Sequence, residues 1–251
     1  MRKLSMALLA GVALVGCGVD QNQETINNLV EAGFPANDIM VVDGEVYVGR
    51  DAHVSYEASL EMLQAGKDTA EQYRTTNLVS SSVTKICIIP TSQFNSYSTL
   101  SAGLDLAIEN YNSQNLQFTM VRGSAADCSA TISAKTANST GGSAGFPTGG
   151  KPYGTINIGT GLQSYSVDVS EHVITHELGH CIGFRHSDYY DRSISCGGAA
   201  SNEGASNVGA ILIPGTPSDA RVGGSIMNSC FRASESGEWS SSDKTALSYL
   251  Y

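Results

Sequence analysis

The residues best equipped for chemistry fall in one run of the sequence, from Asp168 through Glu171, His172, His176, Glu177, His180 and Gly183 to His186. His176 and His180 are spaced four apart, one helical turn. At that spacing two imidazoles can approach a single metal ion at about 2.0–2.1 Å. A straight helix would carry its next turn away from the ion, so a third ligand requires a break. Gly183 can supply it by adopting a left-handed conformation that ends the helix and turns the chain back to offer His186. Three neutral imidazoles leave one tetrahedral position open, which is the coordination of a catalytic zinc and not of a structural one. One Zn2+ ion is therefore the expected cofactor. Glu177 adjoins the first ligand and is placed to take a proton from a zinc-activated water and return it to a leaving amine. The chemistry read from this run is metal-assisted hydrolysis of an amide. His172 cannot join the other two, because residues eight apart on a helix are separated by about 12 Å along its axis. It is expected at the surface or behind a ligand.

The elements that must position these groups follow from periodicity. Asp168 and Glu171 have the spacing of a capping pair, which predicts that the zinc helix starts there, with Ile174, Leu178, Cys181 and Ile182 on its apolar side. Leu100, Leu104, Ala107, Ile108 and Tyr111 predict a second amphipathic helix. Ile86–Ile89, Leu116–Val121 and Thr155–Ile158 read as strands, and the Gly/Ser-rich stretch 139–150 reads as a loop. Ser241 or Ser242 is expected to cap a last helix containing Ala246, Leu247 and Leu250. This order fits a mixed α/β layer. Before it, residues 18–80 carry 11 acidic residues against three basic ones and read as helix, hairpin, helix, with Asp43-Gly44 suited to a two-residue type I′ turn. Ser80-Ser81-Ser82 reads as a linker to the second region.

The chain has 251 residues, with 14 Lys+Arg against 24 Asp+Glu and a net charge of −10, which repels phosphate backbones, so no nucleic-acid partner is expected. Arg2 and Lys3 followed by the uncharged apolar run Leu4–Val15 read as an export signal, too short for a mature membrane helix. It ends Leu14-Val15-Gly16-Cys17, which resembles the lipobox of bacterial lipoproteins and would anchor the chain through lipid on Cys17. The alternative is an ordinary signal peptide with a cysteine nearby. In an exported protein the cysteines favour disulfides. With Cys17 lipidated, Cys87, Cys128, Cys181, Cys196 and Cys230 remain, and one stays unpaired.

The run from His176 to His186 resembles the extended zinc signature of the metzincin metallopeptidases, and Ser225-Ile226-Met227-Asn228 resembles the Met-turn that lies beneath their zinc. Within that clan the sequence is most similar to the bacterial HEIGH metallopeptidases, which are related to astacins. The similarity extends over most of residues 24–251 and is clearest at Gly145–Pro152, the zinc helix, Arg192–Cys196 and Ser225–Cys230. The resemblance implies an α+β fold: a twisted mixed five-stranded sheet with two long helices, above a C-terminal subdomain with the Met-turn and a terminal helix. Met227 would support the ligands by packing without binding the ion. Astacins carry Tyr two residues after this Met. Here that position is Ser229, so no metal-bound or oxyanion-stabilising Tyr carries over. Thr155, Ile156, Asn157 and Ile158 would form the edge strand that pairs with an extended peptide.

The resulting division is a signal peptide at 1–16, a prosegment at 17–81 and a zinc metallopeptidase domain at 82–251, with activation by cleavage near residues 74–84. Val48-Gly49-Arg50-Asp51 resembles the stretch in which astacin-like precursors place an Asp on the zinc, so Asp51 is the candidate latency ligand, with a surface role as its alternative and the Cys17 thiolate as its rival. Protein or peptide substrates, a monomer, and an outer-membrane, cell-surface or secreted location complete the reading. Asp188, Asp191 and Asp219 could serve a Ca2+ site. A non-proteolytic surface binding protein and a zinc amidase of cell-wall peptides are the competing functions.

Overall fold

The structure is a computed structural model that describes residues 21–63, 72–204, 210–217 and 219–251. The expected signal segment and Cys17 lie outside the described residues. In chain order the elements are α1 (Gln21–Glu31), β1 (Met40–Val42), β2 (Glu45–Val48), β3 (Ala52–His53), α2 (Tyr56–Met62) and β4 (Tyr73–Arg74). There follow β5 (Lys85–Pro90), α3 (Ser92–Ser96), α4 (Ser98–Asn112), β6 (Thr119–Arg122), β7 (Ala130–Ala137), β8 (Gly142–Gly145) and β9 (Thr155–Gly159). A 3-10 turn (Thr160–Ser164) leads into α5 (Val167–Cys181), then α6 (Ser193–Cys196), β10 (Ile211–Leu212) and α7 (Ser241–Leu250).

One eight-stranded sheet runs β1-β2-β3-β8-β9-β7-β5-β6. Its last five strands are the expected mixed sheet: β9, β7, β5 and β6 are parallel, and β8 is antiparallel to β9. The 15-residue helices α4 and α5 cover it. Their close approach requires Gly103, where a Cβ would stand 2.9 Å from the backbone nitrogen of Glu171. The predicted α4 positions Leu100, Leu104, Ala107, Ile108 and Tyr111 are all buried in the main core, with Ile86, Ile88, Ile156 and Ile158 from the strands.

The remaining three strands come from the N-terminal region. β1 and β2 form the predicted hairpin, with Asp43 and Gly44 at φ 51° and 84° as a type I′ turn demands. β3 then pairs parallel with β8, aligning Ala52 with Ala144 and His53 with Gly145. A small apolar cluster of Leu29, Phe34, Val46, Val48, Ala58 and Met62 reaches the rest of the molecule through Phe146.

Several expectations are corrected. Thr155–Ile158 is not an edge strand, because β9 is hydrogen-bonded on both sides, to β7 and β8. Within the five-stranded sheet the outer strands are β6 and, on the side of β9, β8, which is paired with β3 and lies inside the stretch read as a loop. Its Gly-Ser-Ala-Gly sequence has little intrinsic strand preference, so tertiary pairing decides. β7 carries small and polar residues around the buried Ile132 and Ala134 and gives no apolar run to detect. Helix α5 is capped by Ser166, whose side chain accepts from Val169 N, and not by the Asp168/Glu171 pair. Ser240 caps α7 through a reciprocal box with Asp243.

Residues 72–77 are built into the C-terminal half. β4 pairs with β10, Thr75 N donates to Gly183 O at 2.8 Å, and Arg185 N donates to Tyr73 O at 2.7 Å. Gln72 Nε2 donates to Ser225 Oγ and Asp243 Oδ1 at 3.1 and 3.0 Å. Among the described residues, disulfides join Cys87 to Cys128 and Cys196 to Cys230, and Cys181 is free and buried.

Candidate metal centre

Helix α5 ends where the sequence requires. Gly183 has φ 111°, and the turn closes through Gly183 N to His180 O at 2.9 Å and Phe184 N to Gly179 O at 3.0 Å. A Cβ on Gly183 would lie 2.6 Å from Asn77 O, so glycine is needed for contact as well as for conformation. The reversed chain brings His186 back to the helix. His176 Nε2 then lies 3.1 Å from His180 Nε2 and 3.2 Å from His186 Nε2.

These separations fit zinc, since ligands at 2.0–2.1 Å on a tetrahedron are spaced about 3.3–3.4 Å. The tautomers fit too. His176 Nδ1 donates to Ile226 O and His180 Nδ1 to Phe184 O, each at 2.8 Å. Their Nε2 atoms therefore carry lone pairs that face one another, which is repulsive unless a cation lies between them. Burial lowers the pKa of His176 to about 4 and of His180 to about 3, holding both neutral. Burial also opposes charge on His186, but Asp51 and Glu203 outweigh it and raise its pKa to about 10. A bound metal would displace that proton from Nε2.

Asp51 lies beside the three histidines. Its Oδ2 is 3.2 Å from His186 Nε2, its Oδ1 is 3.8 Å from His180 Nε2, and it belongs to one ligand group with the three histidines. It follows a turn whose Gly49 and Arg50 have φ 60° and 75°.

Glu177 is buried, and its Oε2 has no hydrogen-bond partner. Burial first, and Asp51 second, hold its pKa well above the usual carboxylate range. Strand β8 crosses so close that a Cβ on Gly142 would stand 2.3 Å from Glu177 Oε1. A cleft of about 280 Å³ opens here, lined by Gly142, His172, His176, Glu177 and Phe231 on the C-terminal side and by Arg50 and Asp51 on the N-terminal side. His172 is thus not on the surface: it is buried in the cleft wall with an unpartnered Nε2.

Met227 is fully buried beneath the helix, and a Cβ on Gly179 would meet its Sδ at 2.6 Å. The turn contributes more than packing, since its Ile226 carbonyl orients His176. Asp188 Oδ1 accepts from Ser229 N and Oγ at 2.8 and 2.7 Å, Asp188 Oδ2 from Ser195 N at 3.3 Å, and Asp191 Oδ1 from Ser193. These oxygens are committed to neutral donors, so the calcium reading gains nothing from them. Tyr189 stacks edge-on against Tyr73, Tyr190 Oη accepts from Ala220 N, and neither lines the cleft.

Sequence reasoning missed Glu203, Arg192 as a partner of the site, and Gly142. Glu203 Oε1 accepts from His186 Nδ1 at 2.7 Å and from Arg192 Nη1. It comes from an irregular stretch with no periodicity to mark it.

The class that this centre and fold define is the zinc metallopeptidases. The match is narrower than the class: residues 46–251 fit the model of the dual-action HEIGH metallo-peptidases, and the chain belongs to that family. The matched region includes all of β2 but Glu45, together with Asp51, β3 and the centre itself. Two solved structures of myroilysin are similar, one at 13% identity over 75% of this chain and 92% of that one with a TM-score of 0.40. The other is at 16% over 72% and 98%, with a TM-score of 0.42. High choriolytic enzyme 1, a hatching enzyme zinc-protease from the medaka fish Oryzias latipes, is similar at 15% over 70% and 92%, with a TM-score of 0.38. No curated protein sequence matches the chain.

Proposed function

We propose that this chain is the latent precursor of an exported zinc endopeptidase. The observation that carries the proposal is Asp51 Oδ2 at 3.2 Å from His186 Nε2, within the ligand group and in the position a catalytic water would need. Zinc held by His176, His180 and His186 would supply Lewis acidity, polarising the scissile carbonyl and acidifying the attacking water. Glu177 takes the proton of that water and delivers it to the leaving amine. Burial first and the Asp51 carboxylate second hold its pKa up in the closed form, and withdrawal of the N-terminal segment would relieve the Asp51 contribution. The edge of β8, occupied by β3, would then receive an extended peptide by strand addition.

The activating cut belongs between Leu63 and Gln72, upstream of the 74–84 window that sequence suggests. Residues 72–77 support the turn after the zinc helix and must remain with the mature chain. Export is supported by the Arg2–Lys3 start, by the apolar run behind it and by two disulfides suited to an oxidising compartment. Cys17 would carry the lipid in a surface-anchored form. The mature enzyme is proposed as a monomer with one zinc.

A casein assay on the purified precursor, before and after limited proteolysis, tests this reading. The uncut chain should be nearly inert, and the cut chain active and silenced by chelator. Equal activity before and after cutting would refute latency.

A further inference from the structure

Two zinc ligands send Nδ1 to backbone carbonyls, and only the third meets a carboxylate. Glu203 is 1% exposed and lies 2.7 Å from His186 Nδ1. The same Oε1 accepts from Arg192 Nη1 and, at 3.2 Å, from Ser229 Oγ, while Oε2 lies 3.5 Å from Arg185 Nη2. A buried carboxylate is costly unless fully paired, and this one has two guanidinium partners and a hydroxyl. That expense is difficult to explain as packing alone.

We propose that Glu203 is the positioning residue of the metal centre: it fixes His186 with Nδ1–H toward the carboxylate and the Nε2 lone pair toward zinc, and it strengthens Nε2 as a donor. This rests on the zinc reading of the site. His176 and His180 are held by α5, but His186 follows the break at Gly183 and has no helix to orient it. A charge-assisted bond to Nδ1 supplies that orientation and pushes electron density through the ring toward the ion, which a backbone carbonyl does less strongly.

The same carboxylate forms the floor beneath the segment that covers the site. A Cβ on Gly49 would stand 2.9 Å from Glu203 Oε2 and 3.3 Å from His186 Nδ1. Arg192 Nη1, bonded to Glu203, also donates to Gly49 O at 2.5 Å, and Gly49 N donates to Asp38 Oδ2 at 2.9 Å. Arg192 therefore joins the support of the third ligand to the backbone two residues before Asp51.

The test is zinc affinity of the full chain, measured by competition with a chromophoric chelator, together with the visible spectrum of the Co2+-substituted protein. Glu203→Gln keeps the shape and an acceptor but loses the charge. It should weaken zinc binding about 10-fold, and Glu203→Ala about 100-fold, with a shifted cobalt spectrum. Glu203→Asp should recover part of the affinity. Failure of the unaltered chain to bind zinc would sink the zinc reading itself. Wild-type affinity and an unchanged cobalt spectrum in folded Glu203→Gln, even with a lowered melting temperature, would overturn the role assigned to Glu203. Should these variants not fold, 15N NMR of the histidines in the unaltered zinc-loaded chain decides. Nδ1 of His186 should carry a proton, and metal on Nδ1 would overturn the proposal.

Discussion

His176, His180, His186 and Glu177 could be read from the sequence because their relation is local: one helical turn, one neighbouring position and one glycine break fix it. Glu203 could not, since it reaches His186 only through the tertiary fold and from an irregular stretch. Asp51 was legible as a candidate only through the resemblance, and its distance to the ligands needed the structure. At this scale two substitutions separate binding from chemistry. Glu177→Gln removes the proton carrier and leaves the ligands, so the matured chain should keep its zinc by elemental analysis while kcat falls about 10²–10⁴-fold. Asp51→Ala should raise the casein activity of the uncut precursor above the parent's but well short of the matured chain's, because nothing else in the ligand group offers a carboxylate there while β3 still occupies the edge of β8. An Asp51→Ala precursor as inert as the parent would show that latency lies elsewhere.

Among the elements, α5 and the turn after it carry the site. Gly183→Ala puts a side chain on a positive-φ position with a carbonyl 2.6 Å away. It should cost roughly 1–3 kcal/mol in urea unfolding and weaken zinc binding through displacement of His186. The same helix contains a pH-sensitive contact with α4. Burial, with help from Glu238, raises the pKa of Glu171 to about 7, while Asn110 Nδ2 donates to it at 2.7 Å. The folded state thus holds a proton that the unfolded state releases from about pH 4.5 upward. Stability should fall as pH rises from about 5 to about 7, and Glu171→Gln should flatten that part of a melting-temperature profile. Both long helices were legible because their apolar positions recur at helical spacing. Strands β7 and β8 were not, because their small and polar residues become strand only by pairing with neighbours. The error over the edge strand has the same origin: β9 looks like a strand in sequence, but which strand is outermost is decided by what pairs beside it.

Across the whole molecule, the acidic N-terminal region and the metallopeptidase body share one sheet through β3 and β8, while their apolar cores stay separate apart from Phe146. That arrangement suits the proposed removal of the N-terminal segment: its departure would uncover β8 and the cleft without opening the main core. Residues 72–77 belong to the other side of this division. A chain beginning after Asn77 should therefore be much less stable than one beginning at Gln72, as urea unfolding of the two would show, since it loses the β4–β10 pair and the bonds to Gly183 and Arg185. Ser80-Ser81-Ser82 looks like a linker in sequence, whereas the burial of Gln72, Thr75 and Asn77 is a tertiary fact, which is why the proposed boundary moves upstream of Gln72. The most direct measurement is zinc content together with casein hydrolysis for the chain cut between Leu63 and Gln72, compared with its His186→Ala variant. The parent should hold one zinc and cleave casein until chelator removes the metal, and the variant should lose both. A zinc-loaded cut chain that leaves casein intact, or a variant that keeps zinc and activity, would contradict the account.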